Sequence, residues 1–208
     1  MLNGTYADLL MFEVYPRPDL PDLDIPVLSP LFGSLLLVAG NGLDRGNPLV
    51  WDPNGSYSPG PTGGYAWAPS SHVRWGTNNL EVYPAGGMVF NTRAFGSFFD
   101  AGRLLPESQA VIGDSGGAVF TLSLLGEWEL AGVILGIAQY SGQPAGSSFF
   151  GQRTYYADLA YYRLQINDAV TLPEPDRMLA PGAGLLAWLG ARRRRAAATA
   201  GASAPAPR

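Results

Sequence analysis

Glycine and proline punctuate this chain from end to end, with 27 Gly and 18 Pro among 208 residues. Proline removes an amide donor that a long helix needs, and glycine adds backbone freedom that a helix must give up. With only 14% of residues charged, this punctuation argues against a helical bundle or coiled coil and for a turn-rich β protein. Aromatic residues at 12% and hydrophobic residues at 47% supply enough apolar surface for a core, which excludes global disorder.

Short apolar runs between the breaks read as strands at residues 35–39, 73–75, 87–91, 94–99, 118–125, 128–139 and 154–159. Residues 6–14 read as a buried strand. Residues 16–30 read as an extended connector, because Pro16, Pro18, Pro21, Pro26 and Pro30 block both helix and ladder hydrogen bonds. Residues 51–71 read as a long exposed loop and 161–168 as a short terminal helix. Strands do not alternate with helices as a parallel α/β sheet requires, so an antiparallel barrel or sandwich is expected. After Asp168 the composition changes sharply and the chain reads as an appendage.

All 13 basic residues are Arg, and four of them, Arg192, Arg193, Arg194 and Arg195, form one run. The rest of the chain is therefore more acidic than the net charge of −4 suggests, which argues against a nucleic-acid partner. The absence of Cys excludes thiolate metal sites, disulfides and cysteine nucleophiles. His72 is the sole histidine, so a multi-histidine metal site is excluded and no cofactor is expected.

The strongest local signal is Ser115, flanked by Gly113, Asp114, Gly116 and Gly117. A nucleophilic serine needs an exposed hydroxyl and backbone N–H groups aimed at the oxyanion of acyl transfer, and glycines let the backbone bend to supply them. The string also fits the nucleophile elbow of α/β-hydrolases. Those enzymes place a histidine after the serine, and none follows Ser115.

Gly113, Asp114, Ser115, Gly116 and Gly117 resemble the nucleophile motif of trypsin-like serine proteases, the chymotrypsin-fold family. Residues 128–134 resemble that family's next strand, a wall of its specificity pocket, and 154–166 resemble its closing strand and terminal helix. Residues 7–14 resemble the segment that carries the triad aspartate, and 36–42 the first strand of the second barrel. The resemblance spans roughly residues 5–168. It implies an all-β double barrel of which mainly the second barrel is present: residues 1–30 as a remnant of the first barrel and connector, 31–168 as the second barrel. It further implies Ser115 as nucleophile, Asp8 as the residue orienting the imidazole, and the N–H groups of Gly113 and Ser115 as oxyanion hole. Asp114 would shape the loop through a buried ion pair. Gln109 would stand at the floor of the specificity pocket, where the lack of a carboxylate gives no support for cleavage after Arg or Lys.

The family order is His, Asp, Ser, so the resemblance puts the catalytic histidine ahead of Met1 and implies a chain that is inactive as given. His72 lies between Asp8 and Ser115, the order of subtilisin-like enzymes, but their motifs are missing. Pairing His72 with Asp100 leaves too little chain for two barrels. An exposed or hydrogen-bonded loop histidine is expected instead.

Pro173, Glu174 and Pro175, the apolar residues 178–191, and Arg192 to Arg195 resemble the PEP-CTERM sorting signal of Gram-negative bacteria. This implies that residues 169–208 direct export and recognition by an exosortase-type sorting enzyme. Anchoring in the inner membrane would be transient, with the Arg run on the cytoplasmic side. The apolar stretch is shorter than the roughly 20 residues that cross a bilayer. The expectation is an exported, surface-sorted endopeptidase acting on protein or peptide substrates. The alternative is a non-catalytic, protease-like binding module or a surface or biofilm protein.

Overall fold

The structure is a computed structural model, in which residues 6–52, 62–102 and 107–171 are described. The chain divides into one compact unit over residues 1–164 and a second over 165–208, of which the described part is the end of the α-helix Leu159–Thr171. The elements are β1 (Leu35–Gly40), β2 (Leu43–Trp51), β3 (Thr62–Ser71), β4 (Arg74–Asn79), β5 (Met88–Val89), β6 (Thr92–Phe98), β7 (Ala118–Leu122), β8 (Trp128–Ala138), β9 (Ser147–Phe149), β10 (Arg153–Asp158) and α1 (Leu159–Thr171). The all-β expectation holds, with one short helix following the last strand.

Seven strands form one antiparallel sheet in the order β4-β1-β7-β8-β10-β6-β5. Beyond β4 the chain turns onto β6: Glu81 and Val82 donate to Gly96 O at 3.0 and 3.1 Å, and Gly96 N–H returns to Val82 O at 2.8 Å. The run β4-β1-β7-β8-β10-β6 is thereby bridged end to end at Val82 and Gly96. The core holds Leu36, Val38, Leu80, Phe95, Val119, Ile134 and Tyr156, all buried. Period-2 alternation explains β1: Leu36 and Val38 face the core while Leu35 and Leu37 stand partly in solvent. Phe95 and Tyr156 pack with ring centroids 5.4 Å apart. The two-residue turn between β5 and β6 places Phe90 and Asn91 at φ +46° and +59°, the left-handed pair that matches hairpin twist.

A second antiparallel sheet, β2-β3-β9, replaces most of the loop expected over residues 51–71. Its glycines read as loop residues but serve close packing. At Gly64 a Cβ would meet Ser148 O and the Phe149 ring. Trp51 packs on Phe149 with centroids 5.4 Å apart, and Trp67 Nε1 donates to Ser148 Oγ at 2.8 Å.

Residues 6–14, expected as a buried strand, pair with no strand among the described residues, and Leu10 and Phe12 are 86% and 78% exposed. An apolar run becomes a strand only where a ladder partner accepts its backbone bonds. The connector forms neither helix nor strand, as its prolines dictate, and its second half is hydrogen-bonded to the rest of the unit. Asp24 O accepts from Leu130 N–H at 2.7 Å, Ile25 O from Arg163 Nε at 3.2 Å, and Pro30 O from the Tyr83 hydroxyl. Gln165–Arg208 enters the description only through the last turns of α1, where Thr171 Oγ1 donates to Asn167 O at 2.9 Å. Pro173, Glu174, Pro175 and Arg192 to Arg195 lie outside the described residues.

Burial holds the Tyr156 hydroxyl protonated, pushing its pKa up to about 12, while Ser97 Oγ lies 2.8 Å away. An unfolded tyrosine ionises near pH ~10, so this residue's contribution is complete below that pH and is lost as pH rises toward 12. Tyr156→Phe is expected to cost roughly 0.5–1.5 kcal/mol at neutral pH for the lost hydrogen bond. It should also flatten the decline in stability above pH ~10. Urea unfolding of both proteins at neutral and alkaline pH checks this, and parallel declines refute it.

Candidate active site

The Ser115 turn is built on the end of β1. Asp114 is buried, and its carboxylate accepts from Gly42 N–H at 2.6 Å and from Val111 N–H at 2.9 Å. Gly42 must be glycine for this approach, since a Cβ there would sit 2.6 Å from Asp114 Cγ. The main chain closes the turn twice more, with Asp114 N–H on Val111 O at 3.1 Å and Gly117 N–H on Asp114 O at 2.9 Å. It then docks on β8 through Gly116 N–H to Ile134 O at 2.9 Å and Ile134 N–H to Gly117 O at 2.8 Å. Gly113 takes φ +94°, a conformation that excludes most other residues.

This anchoring leaves Ser115 and Gly113 exposed. Neither backbone N–H is taken by a hydrogen bond among the described residues. Both residues line an open cleft of about 290 Å³, whose walls are Ala39–Asn41 with Val73 on one side and 113–117 on the other. The arrangement offers a hydroxyl and two unspent donors, two positions apart, to one concave space.

The other sequence-predicted residues fall elsewhere. Asp8 is exposed, its N–H donates to Thr92 Oγ1 at 2.7 Å, and it does not line the cleft. Gln109 is held by its neighbours on either side: Ser108 N–H bonds Thr77 O and Ala110 N–H bonds Thr154 Oγ1. Both Gln109 amide atoms are buried without a partner among the described residues. Asp114 has no ion pair among the described residues. Two backbone donors stand where the resemblance implies a cation.

His72 is exposed and hydrogen-bonded, and its partner is Asp44 rather than Asp100: Nδ1 lies 2.6 Å from Asp44 Oδ2. Arg74 bonds Asp44 Oδ1 and Leu43 O as well. The Asp44 carboxyl lies below its ordinary value, lowered foremost by the Ser70 hydroxyl, opposed next by desolvation, and lowered further by His72 and Arg74. Sequence reading missed Asp44 because only the β2–β3 register, which sets Leu43 opposite Ser71, brings it beside His72. Away from the cleft, Glu81, Asp100 and Glu107 place carboxylate oxygens within 4.8 Å of one another. Phe98 N–H donates to Glu81 Oε2 at 3.2 Å, and Asp100 N–H to Glu107 Oε2 at 2.5 Å.

No protein-family model matches the chain, and no curated protein matches it.

Asp114→Ala leaves the Gly42 and Val111 N–H groups without an acceptor, so a loss of roughly 2–5 kcal/mol is expected. Asp114→Asn keeps the shape but turns one oxygen into a donor, so an intermediate loss is expected. Urea unfolding gives the ranking, and amide exchange at Gly42 and Val111 locates it. Unchanged exchange at both amides in Asp114→Ala refutes the anchoring role.

Proposed function

We propose that this chain carries the nucleophile half of a trypsin-like serine endopeptidase. Ser115 Oγ attacks the carbonyl carbon of a peptide bond as an imidazole takes its proton. The Gly113 and Ser115 N–H groups hold the resulting oxyanion. The C–N bond then breaks, the amine leaves with the proton, and water releases the acyl group from Ser115. The observation that carries this reading is the exposed Ser115 beside two N–H groups that take no hydrogen bond among the described residues, on a turn pinned by Asp114.

The proton acceptor belongs to a second polypeptide segment, since His72 is the one histidine in the sequence and Asp44 holds its Nδ1. The exposed Leu10, Phe12 and Tyr15 form the apolar surface on which the segment docks, and Asp8, which the resemblance makes the residue orienting the imidazole, belongs to the same stretch of chain. Gln109 lies at the floor of the specificity pocket. The double-barrel fold is completed by that segment. Export and surface sorting follow from Pro173, Glu174, Pro175 and Arg192 to Arg195. The engagement of the sole imidazole with Asp44 favours a second reading, a non-catalytic binding module that keeps the turn as a ligand site.

A fluorophosphonate probe, which forms an O–P bond to an activated serine and expels fluoride, separates the two. The chain alone is expected to label slowly at Ser115. Free imidazole should raise the rate by roughly tenfold or more, a fraction of the 10²–10⁴ that a positioned base supplies. Ser115→Ala should abolish labelling. A rate indifferent to imidazole leaves the binding-module reading standing.

A further inference from the structure

The hairpin that joins β7 to β8 places four large apolar side chains in solvent between Leu122 and Trp128. Leu124 is fully exposed and Leu125 is 86% exposed, while Leu122 and Trp128 are 44% and 45% exposed. The register sets Leu122 opposite Trp128, so these two share one face of the hairpin, with Leu124 and Leu125 beyond them at its tip. A single exposed leucine is ordinary on a protein surface, but a contiguous apolar cluster marks a contact site.

The turn itself is closed. Ser123 N–H donates to Glu127 O at 2.8 Å and Gly126 N–H to Ser123 O at 3.0 Å. Ser123 Oγ accepts from Leu125 N–H at 3.2 Å and from Glu127 N–H at 3.1 Å. Gly126 takes the left-handed φ of +81° that the reversal requires. These main-chain donors are satisfied inside the turn, so the tip enters an apolar medium without stranding them. A turn already fixed also has little conformational freedom left to lose on contact.

Charge and size identify the occupant. Residues 118–138 hold no Lys, Arg or His, and their acidic residues are Glu127 and Glu129, so an anionic surface gains nothing at this tip. Four side chains offer a few hundred Å² at most, against roughly 800 Å² per partner in a stable protein interface. A bilayer sets no such minimum, because its acyl chains close around an apolar tip of any size. It takes leucine into the acyl layer and holds tryptophan at the headgroup level. The hairpin carries its side chains in that order of depth, with Leu124 and Leu125 foremost, Trp128 behind them and Glu127 limiting the descent.

We propose that the turn between Leu122 and Trp128 is a shallow insertion site for a zwitterionic bilayer, seating Leu124 and Leu125 in the acyl layer and Trp128 at the headgroup boundary. The site stands on the geometry of the hairpin and is independent of the role of Ser115. The contact is reversible, because two leucines and part of a tryptophan bury less apolar surface than a single myristoyl chain, itself a marginal anchor.

The probe is a phosphatidylcholine vesicle with bromine on the acyl chains near the headgroup, which quenches tryptophan fluorescence on contact. The whole chain is titrated beside Trp128→Phe. Quenching lost in that variant is the signal of Trp128, since the other tryptophans are common to both proteins. Trp128 is expected to be quenched, with little change as salt rises from ~0.1 to ~1 M. Leu124→Ser combined with Leu125→Ser should weaken this binding by about tenfold or more, from the lost transfer of two leucine side chains. Both positions are exposed, and matching urea midpoints show that the double variant is folded. Absence of Trp128 quenching at millimolar lipid overturns the proposal, as does equal quenching in the double variant. Quenching that requires phosphatidylserine and disappears at high salt overturns it too, since that is a charge contact. So does lipid-free dimerisation that the double variant abolishes, which assigns the tip to a second copy.

Discussion

The carboxylate of Asp114, buried beneath the turn and bonded to the main-chain amides of Gly42 and Val111, is the contact on which the cleft depends. A buried carboxylate is costly unless its lone pairs are met, and each charge-assisted bond returns roughly 1.5–3 kcal/mol. The cost and the return are both local here, because donors and acceptor lie within one turn and the strand end beside it. The turn is therefore held by backbone donors, with no side-chain cation on Asp114 among the described residues. That rigidity keeps Gly113 and Ser115 exposed, with N–H groups that take no hydrogen bond among the described residues.

The main sheet gives this turn its foundation. β1 lies between β4 and β7, so its last residues, Ala39 and Gly40, are braced on one flank by β4 and lead on the other toward the strand that follows Ser115. The Glu81–Val82 return onto Gly96 bridges the run of strands that holds β1 in register. Leu36 and Val38 are packed into the core from the same strand that ends at the cleft. Disturbance of the core at β1 thus reaches the cleft wall through a single continuous strand.

The legible strands were those written as apolar runs between glycine, proline and asparagine turns: β1, β6, β7, β8 and β10 nearly in full, β5 within its run, and β4 at its first residues. β2 and β3 were not legible. Their sequences are rich in glycine, proline, serine and half-buried aromatic residues, the composition of a loop, and they pair with each other and with β9 rather than with the main sheet. Residues 6–14 erred in the opposite direction: an apolar run without a ladder partner stays unpaired. At the cleft, the Ser115 turn was legible because glycine at special backbone positions leaves a local signature. Asp44 was not, because its partners His72 and Arg74 are reached only through strand register.

That register also decides what the imidazole of His72 can do. Asp44 takes Nδ1 of His72 on one oxygen and Arg74 on the other. One carboxylate thereby ties the start of β2 to the residues that open β4, and the sole imidazole of the sequence is committed to that tie. His72 does not line the Ser115 cleft, which is why acylation at Ser115, as proposed, calls for a proton acceptor from another segment.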